Sequence, residues 1–329
     1  MSQYHPEALS PSSGNLLERT GRTAGSIVRG HRPLGRELLN AVVNLPILPW
    51  ILFPMQPEPD SHSEFLPGSY TSLWEYFSAI AQVVVPTERK SASYGNLAVL
   101  PPDYIWPQSK RQTKWFFING ICTSPSMALL EAREVALAFQ RPIHLIHTPT
   151  AGFVRDIAGA LNARALRKDG RLSRPAYNVV RNALLSHDQV VLVTYSQGAI
   201  VASYIARKML KDPQLREHAH KLEIYSIGGA ADSLHIDYAL TAEHGHTVPY
   251  VEHFANGKDF FARVGILAKY HSTSGPIFFV AERKGHMLNP HYIKGIVRGD
   301  YCDGRSRLSK YANGGEPGVD DYIPFDRRR

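Results

Sequence analysis

The stretch that most constrains this chain is Gln189-Val-Val-Leu-Val-Thr-Tyr-Ser-Gln-Gly-Ala-Ile-Val-Ala-Ser-Tyr-Ile-Ala-Arg207. Val190 to Val193 is apolar, rich in β-branched residues and too short for a helix, so it reads as a strand buried on both faces. Ile200, Val201, Tyr204, Ile205 and Met209 then recur at helical spacing. Only Thr194-Tyr195-Ser196-Gln197-Gly198 separates strand from helix. A turn this sharp strains the backbone of its central residue and pushes that side chain beyond the end of the sheet. Gly198 lets the new helix approach the strand closely. Such a turn presents the Ser196 hydroxyl as a nucleophile above the first helical turn, with the Gln197 N–H aimed at a developing oxyanion. The alternative is a serine with a merely structural role. A position between a buried strand and an amphipathic helix favours the nucleophile.

The rest of the chain repeats this alternation. Strands are expected over Asn96 to Leu100, Lys114 to Asn119, Ile143 to His147, Lys221 to Gly228, Val248 to Phe254 and Pro276 to Val280. Helices are expected from Ser69 to about Val85, from Pro125 to Phe139, over a polar, basic segment from Val154 to Arg171, from Tyr177 to Leu185, and from Asn289-Pro290 onward. Short strands alternating with helices imply a mostly parallel sheet between two helical layers, an α/β three-layer sandwich. The expected division is an extended or disordered arm (1–35), an apolar and helical N-terminal extension packing on the core (36–93), a catalytic domain (94–300) and a polar C-terminal tail (301–329).

Ligands of such sheets bind beyond the carboxyl ends of the strands, so partners for Ser196 are sought there. A serine hydroxyl needs a base, and the base needs an acid to orient it. After the strand ending at Phe254, Asn256-Gly257 is expected to form a tight turn from which Asp259 emerges. After the strand ending at Val280, Gly285 gives the backbone freedom and His286 precedes a helix. Ser196, Asp259 and His286 thus follow the chain order of a nucleophile–acid–base triad. Each role has a competitor. His291 stands close to His286, Asp232 follows the preceding strand, and Asp156 reads as a helix-start residue. His253 and His271 read as structural or solvated, and Cys122 as a small buried residue.

Thr194-Tyr-Ser-Gln-Gly198 resembles the nucleophile elbow of the α/β-hydrolase superfamily, and its last four residues are similar to the elbow of cutinase-like esterases. The resemblance spans about residues 94–300. It implies an α/β-hydrolase fold and a serine esterase or lipase, with Ser196 as nucleophile, His286 as general base and acid, and Asp259 as its orienter. It also implies an oxyanion hole from the Gln197 N–H and an N–H of the Gly120-Ile121 loop. Length, the N-terminal extension and the lack of a disulfide framework depart from secreted cutinases.

Cys122 and Cys302 are the two cysteines of the chain, which fits a reducing compartment. The His residues lack metal-ligand spacing and no glycine-rich phosphate loop follows a strand, so no metal or cofactor is implied. The net charge of +8 favours anionic surfaces. The cations are scattered and not interleaved with aromatics, which argues against nucleic acid. The apolar stretch Leu38 to Met55 is broken by Pro46, Pro49 and Pro54 and is short for a span of about 20 residues. It reads as packing on the catalytic domain or as a membrane-surface anchor around Trp50. Without a signal-peptide pattern at the N-terminus, a cytoplasmic or peripherally membrane-associated protein is expected. The expected substrate is a small-molecule or lipid ester, lysophospholipids included. The rivals are a non-catalytic binding module on the same fold, to which Thr194 in place of the usual Gly lends weight, and acyl transfer or thioester hydrolysis through the same triad.

Overall fold

The computed structural model describes residues 39, 42–44, 46–47, 62–84, 97–99, 112–148, 170–231, 234, 236, 248–268, 270–302, 305–318 and 321. The arm expected over 1–35, Trp50, the basic segment over 154–169, Asp156 and Asp232 lie outside the described residues. In chain order the elements are α1 (Leu73–Val84), β1 (Leu97–Val99), β2 (Thr113–Ile118), α2 (Pro125–Phe139), β3 (Ile143–Ile146), α3 (Gly170–Ser186), β4 (Gln189–Tyr195), α4 (Gly198–Lys211), β5 (Leu222–Ile227), β6 (Tyr250–Lys258), α5 (Phe260–Val264), β7 (Ile277–Lys284), α6 (Lys294–Arg298) and α7 (Arg307–Lys310). A π turn over Asn289–Ile293 leads into α6.

The strands form one sheet in the order β1-β3-β2-β4-β5-β6-β7. β1 is an antiparallel edge strand, and every other pairing is parallel. Each central strand sends alternate side chains to opposite faces, as the pleat requires. Trp115, Phe117, Val191, Val193, Tyr225 and Ile227 join a core with α2, the π turn, α6 and α7. Phe116, Ile118, Val190, Leu192, Leu222 and Ile224 join a second core with α3 and α4. The result is the α/β three-layer sandwich expected from the sequence. β4 lies in the middle of the sheet, buried along its whole length.

Three details differ from the expectations. Asn256-Gly257 is not a turn. β6 continues to Lys258, and its register with β7 slips between Asn256 and Lys258. Gly257 belongs there because a Cβ would run into the Ala281 backbone of β7. β7 likewise extends through the segment expected to be a loop, to Lys284. Finally, the residues expected to form a polar tail enter the core. Tyr301, Cys302, Leu308 and Tyr311 are buried. Glu223 of β5 accepts from Arg307 Nε (2.8 Å), Gln189 Nε2 (2.6 Å), Tyr225 OH (2.7 Å) and Tyr311 OH (3.0 Å). Glu252 of β6 accepts from Ser306 Oγ and the N–H of Arg307, each at 2.7 Å. Buried carboxylates need this many donors, and here the C-terminal segment supplies many of them.

Candidate active site

The turn between β4 and α4 has the strain that its brevity demands. Ser196 sits at φ 51°, a left-handed conformation costly for a side chain with a Cβ. Hydrogen bonds hold it there: Ser196 N–H donates to Ile227 O at 3.0 Å, and Ser196 O accepts from Ala230 N at 3.0 Å and Ala199 N at 3.2 Å. Gly198 is required by space, since a Cβ would lie 2.5 Å from Ile118 O on β2. The end of β2 therefore comes up against the turn, and a Cβ on Gly120 would lie 2.9 Å from the Ser196 Cβ.

Asp259 follows β6 and caps α5, where its Oδ1 accepts from Phe261 N (2.8 Å) and Ala262 N (3.3 Å). Its Oδ2 accepts from His286 Nδ1 at 2.7 Å and from Tyr292 OH at 2.6 Å. With the Nδ1 proton committed to Asp259, His286 Nε2 accepts from Ser196 Oγ at 3.0 Å. Three groups separated by long stretches of chain thus form one line, and all three residues are buried. Tyr195 stacks on the imidazole at 5.0 Å between ring centroids and donates its hydroxyl to His286 O at 2.8 Å. Phe261 covers the ring at 4.5 Å. Gly228, at φ +55°, leaves the room the pair needs: a Cβ there would lie 3.2 Å from Asp259 Oδ2 and 3.3 Å from the His286 ring.

The sequence expectations fare differently across this site. Ser196, Asp259 and His286 are brought together. The competitor His291 points elsewhere: it is buried, and its Nδ1 accepts from Met287 N at 3.0 Å. His253 lies in the sheet with Nε2 2.9 Å from Ser274 O, and burial holds its imidazole down to about 4. His271 is exposed and lies tilted against the Tyr270 ring. Cys122 is a half-buried thiol outside any disulfide, at φ 55°, and packs with Ala79 and Met127. Gln197 and Ile121 flank Ser196 from the two loops expected to face an oxyanion. Among the described residues neither backbone N–H is taken up by a hydrogen bond. The Ile121 side chain joins two small apolar clusters, one with Ala199, Ile200 and Ala231, the other with Phe260, Phe261 and Val264. Ile47 of the N-terminal extension packs on the second cluster.

Sequence reasoning missed Tyr292, Tyr195 and Gly228. Tyr292 follows an Asn-Pro helix start and has no signature beyond an apolar helical position. Gly228-Gly229 was a signal that the chain must pass something closely at the end of β5. Among the described residues there is no group of three or more His, Cys, Asp or Glu side chains placed to hold a metal, and no helix long and apolar enough to cross a membrane.

No protein family matches the chain, and no curated protein does. Among solved structures, a Thermus thermophilus protein, TT1662, overlaps 55% of this chain and 85% of its own at 13% identity and a TM-score of 0.31. Esterase B of Lactobacillus rhamnosis, solved with a tributyrin phosphonate inhibitor, overlaps 53% of this chain and 67% of its own at 12% identity and a TM-score of 0.24. Overlaps this shallow carry no weight beside the strand order and side-chain geometry of the chain itself.

Proposed function

We propose that the chain is a serine hydrolase that cleaves carboxylic esters through an acyl-enzyme on Ser196. The observation that carries this reading is the buried line Ser196 Oγ–His286 Nε2–His286 Nδ1–Asp259 Oδ2, with contacts of 3.0 and 2.7 Å, beginning at a serine held at φ 51°. A structural serine has no need of a strained backbone and an oriented imidazole together.

In the reaction, His286 Nε2 takes the Ser196 proton as Oγ attacks the ester carbonyl. Asp259 keeps Nδ1 protonated and stabilises the imidazolium. The carbonyl oxygen becomes an oxyanion beside the Gln197 and Ile121 N–H groups. His286 returns the proton to the leaving alcohol as the C–O bond breaks. Water then attacks the acyl-enzyme by the same steps and frees the acid. The apolar side chains around Ile121, Ile200 and Phe261 favour an apolar acyl group.

Labelling with a fluorophosphonate probe tests the assignment. Wild type is expected to label, and Ser196→Ala and His286→Ala, folded, are not. A well-folded wild type that does not label would favour the binding-module reading. A lipid ester, the narrower substrate class, is tested by hydrolysis of short against long acyl esters with and without anionic vesicles. Equal rates and no vesicle effect exclude it.

A further inference from the structure

One buried cluster next to the triad has no part in the mechanism above. Ser63 and Glu64 precede α1 and are buried. Glu64 Oε1 accepts from Asn289 N at 3.0 Å, across 225 residues of sequence. Asn289 opens the helix that follows His286, so Glu64 caps that helix from the N-terminal extension. Tyr70 OH donates to Glu64 O at 2.6 Å and fixes the extension's own turn. The short run from His286 to Asn289 is therefore held at both ends, by Tyr195 on the His286 carbonyl and by Glu64 on the Asn289 amide.

The other oxygen of Glu64 makes this clasp unusual. Glu64 Oε2 and Oε2 of Glu131 on α2 are both buried and have no hydrogen-bond partner among the described residues. Burial, with the charge of Glu134 adding to it, pushes the Glu64 carboxyl up to about 7 despite its backbone hydrogen bonds. Burial and then the charge of Glu64 push Glu131 well above the ordinary range. The surrounding charged groups do not relieve this. Glu134 is 2.8 Å from His62 Nδ1, and Arg133 and Lys294 act on Glu134. Tyr195 lies in the field of both acids, which raises its phenol further.

We infer that Glu64 is a positioning residue for the proposed reaction: uncharged beside Glu131, it clips the N-terminal extension onto the His286 loop, and alkali opens the clip. The link to rate rests on the hydrolase reading, whereas the docking does not. The sign follows from linkage. A carboxyl raised by docking binds its proton more tightly docked than free. Docking is therefore strongest below the ordinary 4.5 and weakens as pH rises from there through about 7; Glu131 carries the loss higher. Above that range both acids lose their protons to solvent, two buried anions face each other, and the run after His286 loses its anchor at Asn289.

The experiment is the rate of fluorophosphonate labelling of the full chain from pH ~6 to ~9, read together with amide hydrogen exchange over 62–70 and 286–291. Wild-type labelling is expected to fall severalfold on the alkaline side. Glu64→Gln keeps the acceptor for Asn289 and removes the charge, so the decline near pH 7 is expected to vanish, leaving only the higher loss that Glu131 carries. Glu131→Gln should keep the decline near pH 7 and lose only its higher part, and Glu64→Ala should label slowly at every pH. Exchange over both segments, compared at matched pH, should be faster in wild type than in Glu64→Gln only on the alkaline side. Superimposable pH profiles for wild type and Glu64→Gln overturn the inference and leave the hydrolase reading intact. Absence of labelling in every folded form overturns the hydrolase reading, and exchange alone then decides the docking: no pH-dependent difference refutes it.

Discussion

Tyr292 donates its hydroxyl to Asp259 Oδ2 at 2.6 Å, the same oxygen that receives the His286 Nδ1 proton, while accepting the N–H of Asn256 at 3.0 Å. One phenol therefore fixes both Asp259 and the strand that delivers it. Tyr292→Phe leaves a buried N–H and a carboxylate lone pair unmet, a loss of about 1–3 kcal/mol in urea denaturation. Because the imidazole then rests on a looser carboxylate, kcat should drop by about tenfold (~1.4 kcal/mol) with a smaller change in KM. An unaltered kcat in a destabilised protein would confine Tyr292 to a structural role.

Strain at Ser196 has a measurable counterpart. Ser196 at φ 51° suits glycine better than any residue with a Cβ. Ser196→Gly and Ser196→Ala should both be inactive, but the glycine variant should be the more stable by about 1 kcal/mol. Equal melting temperatures would mean that the turn relaxes in the alanine variant.

Gly228 separates activity from stability differently. A Cβ there would press on Asp259 Oδ2 and the His286 ring at 3.2–3.3 Å and would strain a φ of +55°. Gly228→Ala is expected to cost about 1–2 kcal/mol of stability, and to slow phosphonate labelling by more than that loss of folded protein explains. Labelling at the wild-type rate would show that the pair tolerates the added methyl group.

These three residues mark the boundary of what the sequence makes legible. β4, its turn and α4 are readable because apolar period and turn brevity are local properties. Asp259 and His286 are readable because the ends of parallel strands limit where partners can stand. Tyr292 is not, because a helical tyrosine facing a core has the same pattern whether or not its hydroxyl meets an acid. Glu64 is equally opaque: its partner Asn289 lies 225 residues away, and nothing local records that pairing. The Asn256-Gly257 pair was misleading for a related reason. The dipeptide has turn chemistry, yet Tyr301 OH donates to Asn256 Oδ1 at 2.6 Å and Asn256 Nδ2 donates to Gly285 O at 3.0 Å, keeping it in the sheet.

His253 gives the protein a defined sensitivity to acid. Its imidazole is buried in β6 and is lowered from 6.5 to about 4 by desolvation. The unfolded chain takes up that proton first, so its contribution is complete above pH 6.5 and is lost as pH falls through about 4. The full loss is about 3 kcal/mol. Denaturation midpoints of wild type and His253→Gln across this interval should converge toward low pH; parallel curves would assign the acid sensitivity elsewhere.

Arg307 tests the charge network at the opposite end of the sheet. Replacing it with Met strips Glu223 of its only ion-pair partner among the described residues, at 2.8 Å. A buried carboxylate left in this way costs about 3–5 kcal/mol, visible as a lower urea midpoint. A loss under ~1 kcal/mol would mean that the Tyr225, Gln189 and Tyr311 donors suffice.

That same network sets the order of events at the ribosome. Leu308 and Tyr311 belong to the larger core, and Ser306 and Arg307 complete the carboxylates of β5 and β6. The central strands are all synthesised well before these residues emerge, so a nascent chain carries a finished sheet sequence and two acids still short of their Ser306 and Arg307 donors. The larger core is therefore closed only once residues 306–311 have joined strands made long before them.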